Sequence, residues 1–201
     1  MIQLHRVIKM KVIKQNVTNS IIINKSEFIT FLYKVESINQ INDILDEINK
    51  KYRDATHRGY AYILEQNHKC YDDGEPTGTA GLPMLDVLKK NKLEHILCIV
   101  VRYFGGIKLG VGGLLRAYVS SLTEALNKTE VIEATIGTRI KFSVSYERQK
   151  EIDKLLNKME VIKTYDSLVE YEVVVDDEIL DLLKTKGTEY KIIKKDYITT
   201  I

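Results

Sequence analysis

The stretch Asp72–Arg116, DDGEPTGTAGLPMLDVLKKNKLEHILCIVVRYFGGIKLGVGGLLR, carries the strongest structural signal in the chain. It contains eight of the eleven glycines and both prolines, Pro76 and Pro83. Its apolar centre, Ile96 to Val101, is short and rich in β-branched residues, the pattern of a strand buried on both faces. Gly105-Gly106 follow directly, then Gly110, Gly112 and Gly113, then a helical run from Leu114 to about Lys128. A strand, a glycine-rich turn and a helix in succession point backbone N–H groups and a positive helix end toward an anion. The function is expected there.

Working outward, 201 residues suffice for a sizeable core in one or two domains. A formal net charge of +2 neither demands nor excludes nucleic acid, because a local patch outweighs the sum. Cys70 and Cys98 are too few for a zinc site and are not spaced as CxxC; Cys98, inside the predicted strand, reads as a small buried apolar residue. No apolar run approaches the roughly 18 residues that span a membrane. The opening MIQLHRVIKMKVIKQ is interrupted by Arg and Lys and lacks the apolar core of a secretory signal. The chain reads as cytoplasmic, with Met10 a second candidate start.

Upstream, Ile21–Ile23 and Phe28–Val35 are predicted strands around the turn Asn24-Lys25-Ser26. Ser37 and Gln40 form a capping box before a helix whose apolar face is Ile41, Ile44, Leu45 and Ile48. Arg53–Gly59 reads as a polar loop and Tyr60–Leu64 as a strand; a short helix begins near Leu82-Pro83 and ends about Asn91. Downstream of Gly137 the pattern changes, and Gly187 is the last glycine. Strand Arg139–Ser145, helix Glu147–Met159, a hairpin of Val161–Tyr165 and Leu168–Val175, a helix capped by Asp176 or Asp177, and strand Glu189–Ile198 give the order βαββαβ. That order predicts a ferredoxin-like sandwich. The fold class is α+β in two domains: 1–19 a tail or extra strand, 20–133 the first domain, 138–201 the second.

Several residues are candidates for chemistry. Asp72, Asp73 and Glu75 form either a carboxylate cluster or a turn that favours the next helix N-terminus. No His or further acid lies at metal-ligand spacing, so no metal is expected. His57 beside Asp54 is a candidate base or a ligand contact, while Thr77 and Thr79 read as capping residues. Neither a GxSxG motif nor a base near Cys70 marks a nucleophile, so no catalytic residue is assigned. Gly110, Gly112 and Gly113 either cradle a phosphate, with Lys108, Arg116 and Arg102 supplying charge, or let helix and strand pack closely. Both readings stay open. Arg53, His57, Arg58, Tyr60 and Tyr103 add the basic and aromatic mixture that suits single-stranded or looped RNA.

Three motifs then match one family. DATH at Asp54–His57, DDGEPTGTAG at Asp72–Gly81 and VVRYFGGIKLGVGGLLRAY at Val100–Tyr118 resemble the Impact/YigZ family. The resemblance implies a first domain with the α/β sandwich of a ribosomal-protein domain, similar to the fourth domain of elongation factor G. It implies a second domain similar to that factor's ferredoxin-like fifth domain. Eukaryotic members resemble a translational regulator that competes with an initiation-factor kinase for a ribosome-associated activator. Carried over by motif, the surface comprises Asp54, Thr56, His57, Asp72, Asp73, Glu75, Pro76, Thr77, Gly78, Arg102, Gly105, Gly106, Gly112 and Gly113, with Thr79 beside them. The expected function is a non-enzymatic RNA- or ribosome-binding protein that modulates translation, with no cofactor and no membrane partner. The alternatives are an enzyme acting on a phosphorylated small molecule or nucleotide, and a module docking on a translation-associated protein.

Overall fold

A computed structural model describes residues 9–65 and 67–199, a mixed α+β chain that separates into two compact units. One unit is Met10–Ile132 and the other is built mainly from Glu133 onward.

The first unit runs β1 (Lys9–Ile13), β2 (Val17–Ile23), β3 (Ser26–Lys34), α1 (Ile38–Lys51), β4 (His57–Leu64), β5 (Asn67–Tyr71), α2 (Gly81–Lys90), β6 (Ile96–Tyr103) and α3 (Gly110–Leu126). Five of the strands form a sheet in the order β2-β3-β6-β4-β5, every pairing antiparallel. The apolar run lies at its centre, and β6 is buried from Ile96 through Arg102. Ile96, Cys98 and Val100 meet α2 and α3 through Met84, Leu88, Tyr118 and Leu122. Leu97, Ile99 and Val101 meet α1 through Ile41 and Ile48. Burial pushes the Cys98 thiol pKa up, so it stays a neutral packing group against Met84.

Local chemistry sets the boundaries. Asn24 and Lys25 both take positive φ, 47° and 66°, the geometry of a tight two-residue hairpin between β2 and β3. Ser37 Oγ accepts the Gln40 N–H at 3.1 Å, capping α1. Gln40 returns its side-chain oxygen to the Glu36 N–H, one residue upstream of a standard capping box.

The second unit takes most of β7 (Val131–Val144), then α4 (Gln149–Leu155), β8 (Val161–Tyr165), β9 (Val169–Val175), α5 (Asp177–Thr185) and β10 (Lys191–Thr199). Among its own strands the antiparallel pairings run β10-β7-β9-β8. Ile140, Phe142, Tyr171 and Val173 pack with Ile152 and Leu183 of the helices. Arg139–Glu172 and Lys141–Glu170 ion pairs, 3.0 and 3.1 Å, lie on the strands' alternate positions. Asp176 caps α5 by accepting the Ile179 N–H at 2.9 Å.

The elements differ from the sequence reading in several places, β2 and β3 among them, which start at Val17 and Ser26. β4 begins at His57 rather than Tyr60, because its polar start pairs with the end of β6. β5, which the sequence reading lacked, is a mostly exposed, polar edge strand. β7 extends back to Val131, eight residues before the expected strand start at Arg139. α3 begins at Gly110, four residues before Leu114, and α4 is shorter than 147–159.

Candidate functional site

The site grows from the end of β6. Continuing its alternation, Arg102 points to the α2/α3 side and Tyr103 to the α1 side. Across the sheet Arg102 stands between Phe28 of β3 and His57 of β4, its direct partners in register. It is 4% exposed. A buried guanidinium needs a matched anion, because desolvation of an unpaired charge costs several kcal/mol. Glu75 supplies it: Arg102 Nη1 donates to Glu75 Oε1 at 2.7 Å. The Tyr118 hydroxyl donates to the same oxygen at 2.9 Å. Burial and the neighbouring Glu75 push the Tyr118 pKa up, so the phenol remains a neutral donor. Arg102 Nη2 lies 3.4 Å from Ser26 Oγ, and the rings of Phe28 and Phe104 flank the guanidinium at 5.4 and 5.6 Å.

His57 closes the cluster on the solvent side. Its Nδ1 lies 2.7 Å from the Asp73 carbonyl, which only accepts, so Nδ1 carries the proton. Nε2 is thereby left facing Glu75 Oε2 at 3.8 Å.

The three acids of the DDGEP turn do three different things. Asp72 accepts the N–H groups of Gly78, Ala80 and Gly81 at 2.8, 3.0 and 2.8 Å, folding the loop around its carboxylate at the start of α2. Asp73 accepts the Arg58 N–H at 2.7 Å and pairs with its guanidinium at 3.4 Å. Glu75 holds Arg102. Among the described residues no group of His, Cys, Asp and Glu is arranged to hold a metal ion. Thr79 is buried and donates to the Pro76 carbonyl, whereas Thr77 is exposed. Thr56 Oγ1 accepts the Phe104 N–H, and Asp54 accepts the Tyr103 hydroxyl, both at 3.0 Å.

The glycines shape the far wall. A Cβ on Gly105 would lie 1.9 Å from the Lys25 carbonyl oxygen, so this position admits no side chain where the loop crosses the β2–β3 turn. Gly110 opens α3 at φ +69°, and no side chain caps the helix, so its first-turn N–H groups remain open. Gly112 is exposed and Gly113 half-buried. Between this helix start and β4 lies a cleft of about 390 Å³, its wall including Thr56, His57, Glu75, Arg102, Phe104 and Lys108.

The residues expected to form one basic surface are divided between the two sheet faces. His57, Arg102, Lys108 and Gly110 come together in the cleft. Arg102, expected as a phosphate contact, is buried with its charge matched by Glu75. Arg116 is exposed on α3 outside the cleft wall. Arg53 and Arg58 line a hollow of about 720 Å³ on the α1 side, with Tyr60, Tyr71, Asp46 and Asp73. Tyr118, Ser26 and Phe104 belong to the cleft cluster but were absent from the candidate residues. Tyr118 had a usable signal: it shares the apolar stripe of Leu114 and Leu122, where a hydroxyl demands an acceptor.

Residues 24–126 match the family model described as the Impact N-terminal domain. The chain belongs to the Impact family. It is 37% identical to the IMPACT family member YvyE of Bacillus subtilis over 190 residues, 92% of this chain and 88% of that protein. It is 34% identical to the IMPACT family member YigZ of Escherichia coli (strain K12) over 139 residues, 67% of this chain and 68% of that protein. A crystal structure described as a hypothetical protein aligns with a TM-score of 0.64 at 28% identity, over 92% of this chain and 97% of its own. The Impact match ends at Leu126, the last residue of α3, and so contains every residue of the cleft and of the α1-side hollow. Among the described residues no helix is long and apolar enough to cross a membrane.

Proposed function

We propose that this Impact-family chain binds RNA or the ribosome and modulates translation, without itself catalysing a reaction. The observation that carries the reading is the uncovered half of the first sheet. α1 packs over β3 and β6. On the same face, the strand partners Tyr60 and Tyr71 bring their rings to 5.6 Å, and Tyr60 stacks on Tyr62 at 6.5 Å with planes 8° apart. Tyr71 is 51% exposed. Arg53 and Lys69 are exposed beside these rings, while Arg58 is matched by Asp73.

Rings on an open sheet face stack against splayed bases whatever their sequence, and each stacked base contributes about 1–3 kcal/mol. The Asp46 carboxylate in the same hollow reduces the local positive excess. Stacking therefore carries the affinity, and Arg53 and Lys69 meet the backbone phosphates. Each phosphate neutralised adds about −0.7 to the slope of log affinity against log salt.

The family resemblance supports translation as the setting. We read the second unit as ferredoxin-like, supported by its βαββαβ order and the pairings β10-β7-β9-β8. The first unit takes its reading, as the ribosomal-protein-type sandwich of elongation factor G's fourth domain, from the resemblance. The test is binding of a single-stranded oligoribonucleotide, and co-sedimentation with ribosomes across a salt series. Tyr60→Ala/Tyr71→Ala should weaken both by 10-fold or more while thermal unfolding shows the fold retained. Undiminished binding by that folded variant removes the reading.

A further inference from the structure

We propose that the apolar seam between α2 and α3 is a docking site for an amphipathic helix of a partner protein, one whose apolar stripe is flanked by Asp and Glu. The helices of the first unit meet solvent in different ways. Beyond its first residue, Ile38, every exposed position of α1 is polar or charged. α3 is built otherwise. It buries Leu114, Ala117, Tyr118, Leu122 and Ala125 in the core, yet carries a further apolar stripe on the flank toward α2. That stripe is Val111, Leu115 and Val119, each about one turn from the next. Val111 is 63% exposed, Leu115 is 41% exposed and Val119 is half-buried. Valine is a weaker helix former than the Ala, Glu or Lys that an exposed position admits, so local stability does not account for the stripe.

α2 supplies the other wall. Leu82, 48% exposed, and Val87 line a groove of about 280 Å³ together with Leu115 and Val119. Val111 continues the apolar surface past the start of α3 to Phe104, whose ring is also exposed. A continuous apolar face of this kind on a water-facing layer marks an interaction surface. A seam between two neighbouring helices receives the side chains that a third helix presents at i, i+3, i+4 and i+7. From Val111 to Val119 the stripe runs roughly 12 Å, about two turns of such a helix.

Charge decides the occupant. Lys90 lines the groove, Lys108 stands beside Phe104 and Val111, and Arg116 reaches back along α3, its Nη1 3.5 Å from where a Cβ on Gly112 would lie. All three are exposed. Among the described residues Asp86 is the one acid lining the groove, and none of these four charges has an ion-pair partner. An apolar centre rimmed by unmatched cations complements an apolar stripe flanked by carboxylates. A second copy of this chain, docked face to face, would set the same cations against one another. Nucleic acid is a poorer match, because among the described residues no aromatic ring lines the groove for a base to stack on.

The test selects a phage-displayed library of randomised helical peptides, about four turns long, on the intact chain, with the Val111→Glu chain as counter-selection. Val111→Glu places an acid in the first turn of α3, which favours the helix and should keep the melting temperature while it repels an acidic peptide. Enriched peptides should carry one apolar stripe and more Asp and Glu than Lys and Arg. A synthetic peptide of the enriched sequence, followed by fluorescence anisotropy, should lose about 10-fold or more in affinity for Leu115→Glu. Lys90→Glu/Arg116→Glu should cost a similar factor, and binding should weaken with salt. The methyl resonances of Leu82, Val87, Leu115 and Val119 should shift on binding. Tyr60→Ala/Tyr71→Ala should leave the affinity intact, so the seam stands or falls apart from the tyrosine face. Failure to enrich over Val111→Glu, enriched peptides without an acidic excess, or a dimer of the chain itself that Leu115→Glu dissolves would each overturn the proposal.

Discussion

The two faces of the first sheet solve the same problem in opposite ways. On the α2/α3 side the strand ends are closed over a buried ion pair, with Glu75, Arg102 and Tyr118 linked by hydrogen bonds of 2.7 and 2.9 Å. On the α1 side, one helix serves five strands, and the rings of Tyr60 and Tyr71 are left at the uncovered margin. Polar groups on the closed side are fixed by one another. On the open side they remain available. A closed polar cluster satisfies its own charges and fixes the strand ends, whereas an open aromatic face suits a chain whose bases arrive one after another.

The largest effect that would break this comparison is at Glu75. Glu75→Ala leaves the Arg102 charge buried and unpaired and removes the acceptor of the Tyr118 hydroxyl. The expected loss is about 3–5 kcal/mol of stability, measured by urea unfolding. Glu75→Leu with Arg102→Met removes both charges together and should recover most of that loss, because well-packed apolar groups often replace a buried pair without penalty. A Glu75→Ala variant within 1 kcal/mol of the parent would mean that the pair is more solvated than its burial implies, and the closed side would be closed in name only.

Next in size is Gly105, where the closed side depends on backbone contact rather than charge. A Cβ there would overlap the Lys25 carbonyl, with no flexible side chain to move aside. Gly105→Ala should cost about 1–3 kcal/mol as the β2–β3 turn is pushed away. Nearby Gly106 gives an internal contrast: no atom lies within 4 Å of its added Cβ, and its φ of +87° alone opposes a side chain. Melting temperatures should therefore rank Gly105→Ala below Gly106→Ala, because only the first adds a backbone overlap to the cost of the side chain.

How far the sequence revealed these faces depended on whether a signal was local. The central strand was visible because six apolar residues in a row have few other uses, and the Ser37 cap and βαββαβ tail followed from equally local patterns. β5 was not, since Asn67-His68-Lys69-Cys70-Tyr71 shows no apolar alternation; an edge strand with polar side chains is defined by its partner, here β4. The start of α3 was hidden because glycine disfavours helix, yet Gly110, Gly112 and Gly113 lie in its first turn. At the site, the individual residues could be named from the motifs, but their relations could not. Glu75 and Arg102 are 27 positions apart, and only the strand register places His57 opposite Arg102. Arg53 and Arg102 looked alike as basic candidates, but Arg53 lies in the turn after α1 and lines the α1-side hollow, while the alternation of β6 turns Arg102 to the α2/α3 side.

The smallest expected effect is a slope rather than a step, and it contrasts the two ends of β6. Where Arg102 ends the strand, burial is met by matching charge; where His95 precedes it, burial is met by staying neutral. His95 is 6% exposed and its Nδ1 lies 3.2 Å from the Val35 carbonyl. Burial lowers its pKa below the ordinary 6.5, outweighing that hydrogen bond, which favours the charged form. As pH falls the unfolded chain takes the proton first, so His95 withdraws stability from pH 6.5 downward, through its lower folded pKa. Its neighbour Glu94 has the opposite sign. Burial raises that carboxyl above 4.5, so its contribution is full below 4.5 and is lost as pH rises through the folded value. His95→Asn keeps a donor near the Nδ1 position and suits the backbone φ of +55°, so it should fold and flatten the decline below pH 6.5. Glu94→Gln should leave that decline and remove the opposing trend above pH 4.5. Urea midpoints from pH 4 to 8 separate the two, and an unchanged slope in His95→Asn would mean that this end of β6 also carries its charge when folded, as the Arg102 end does.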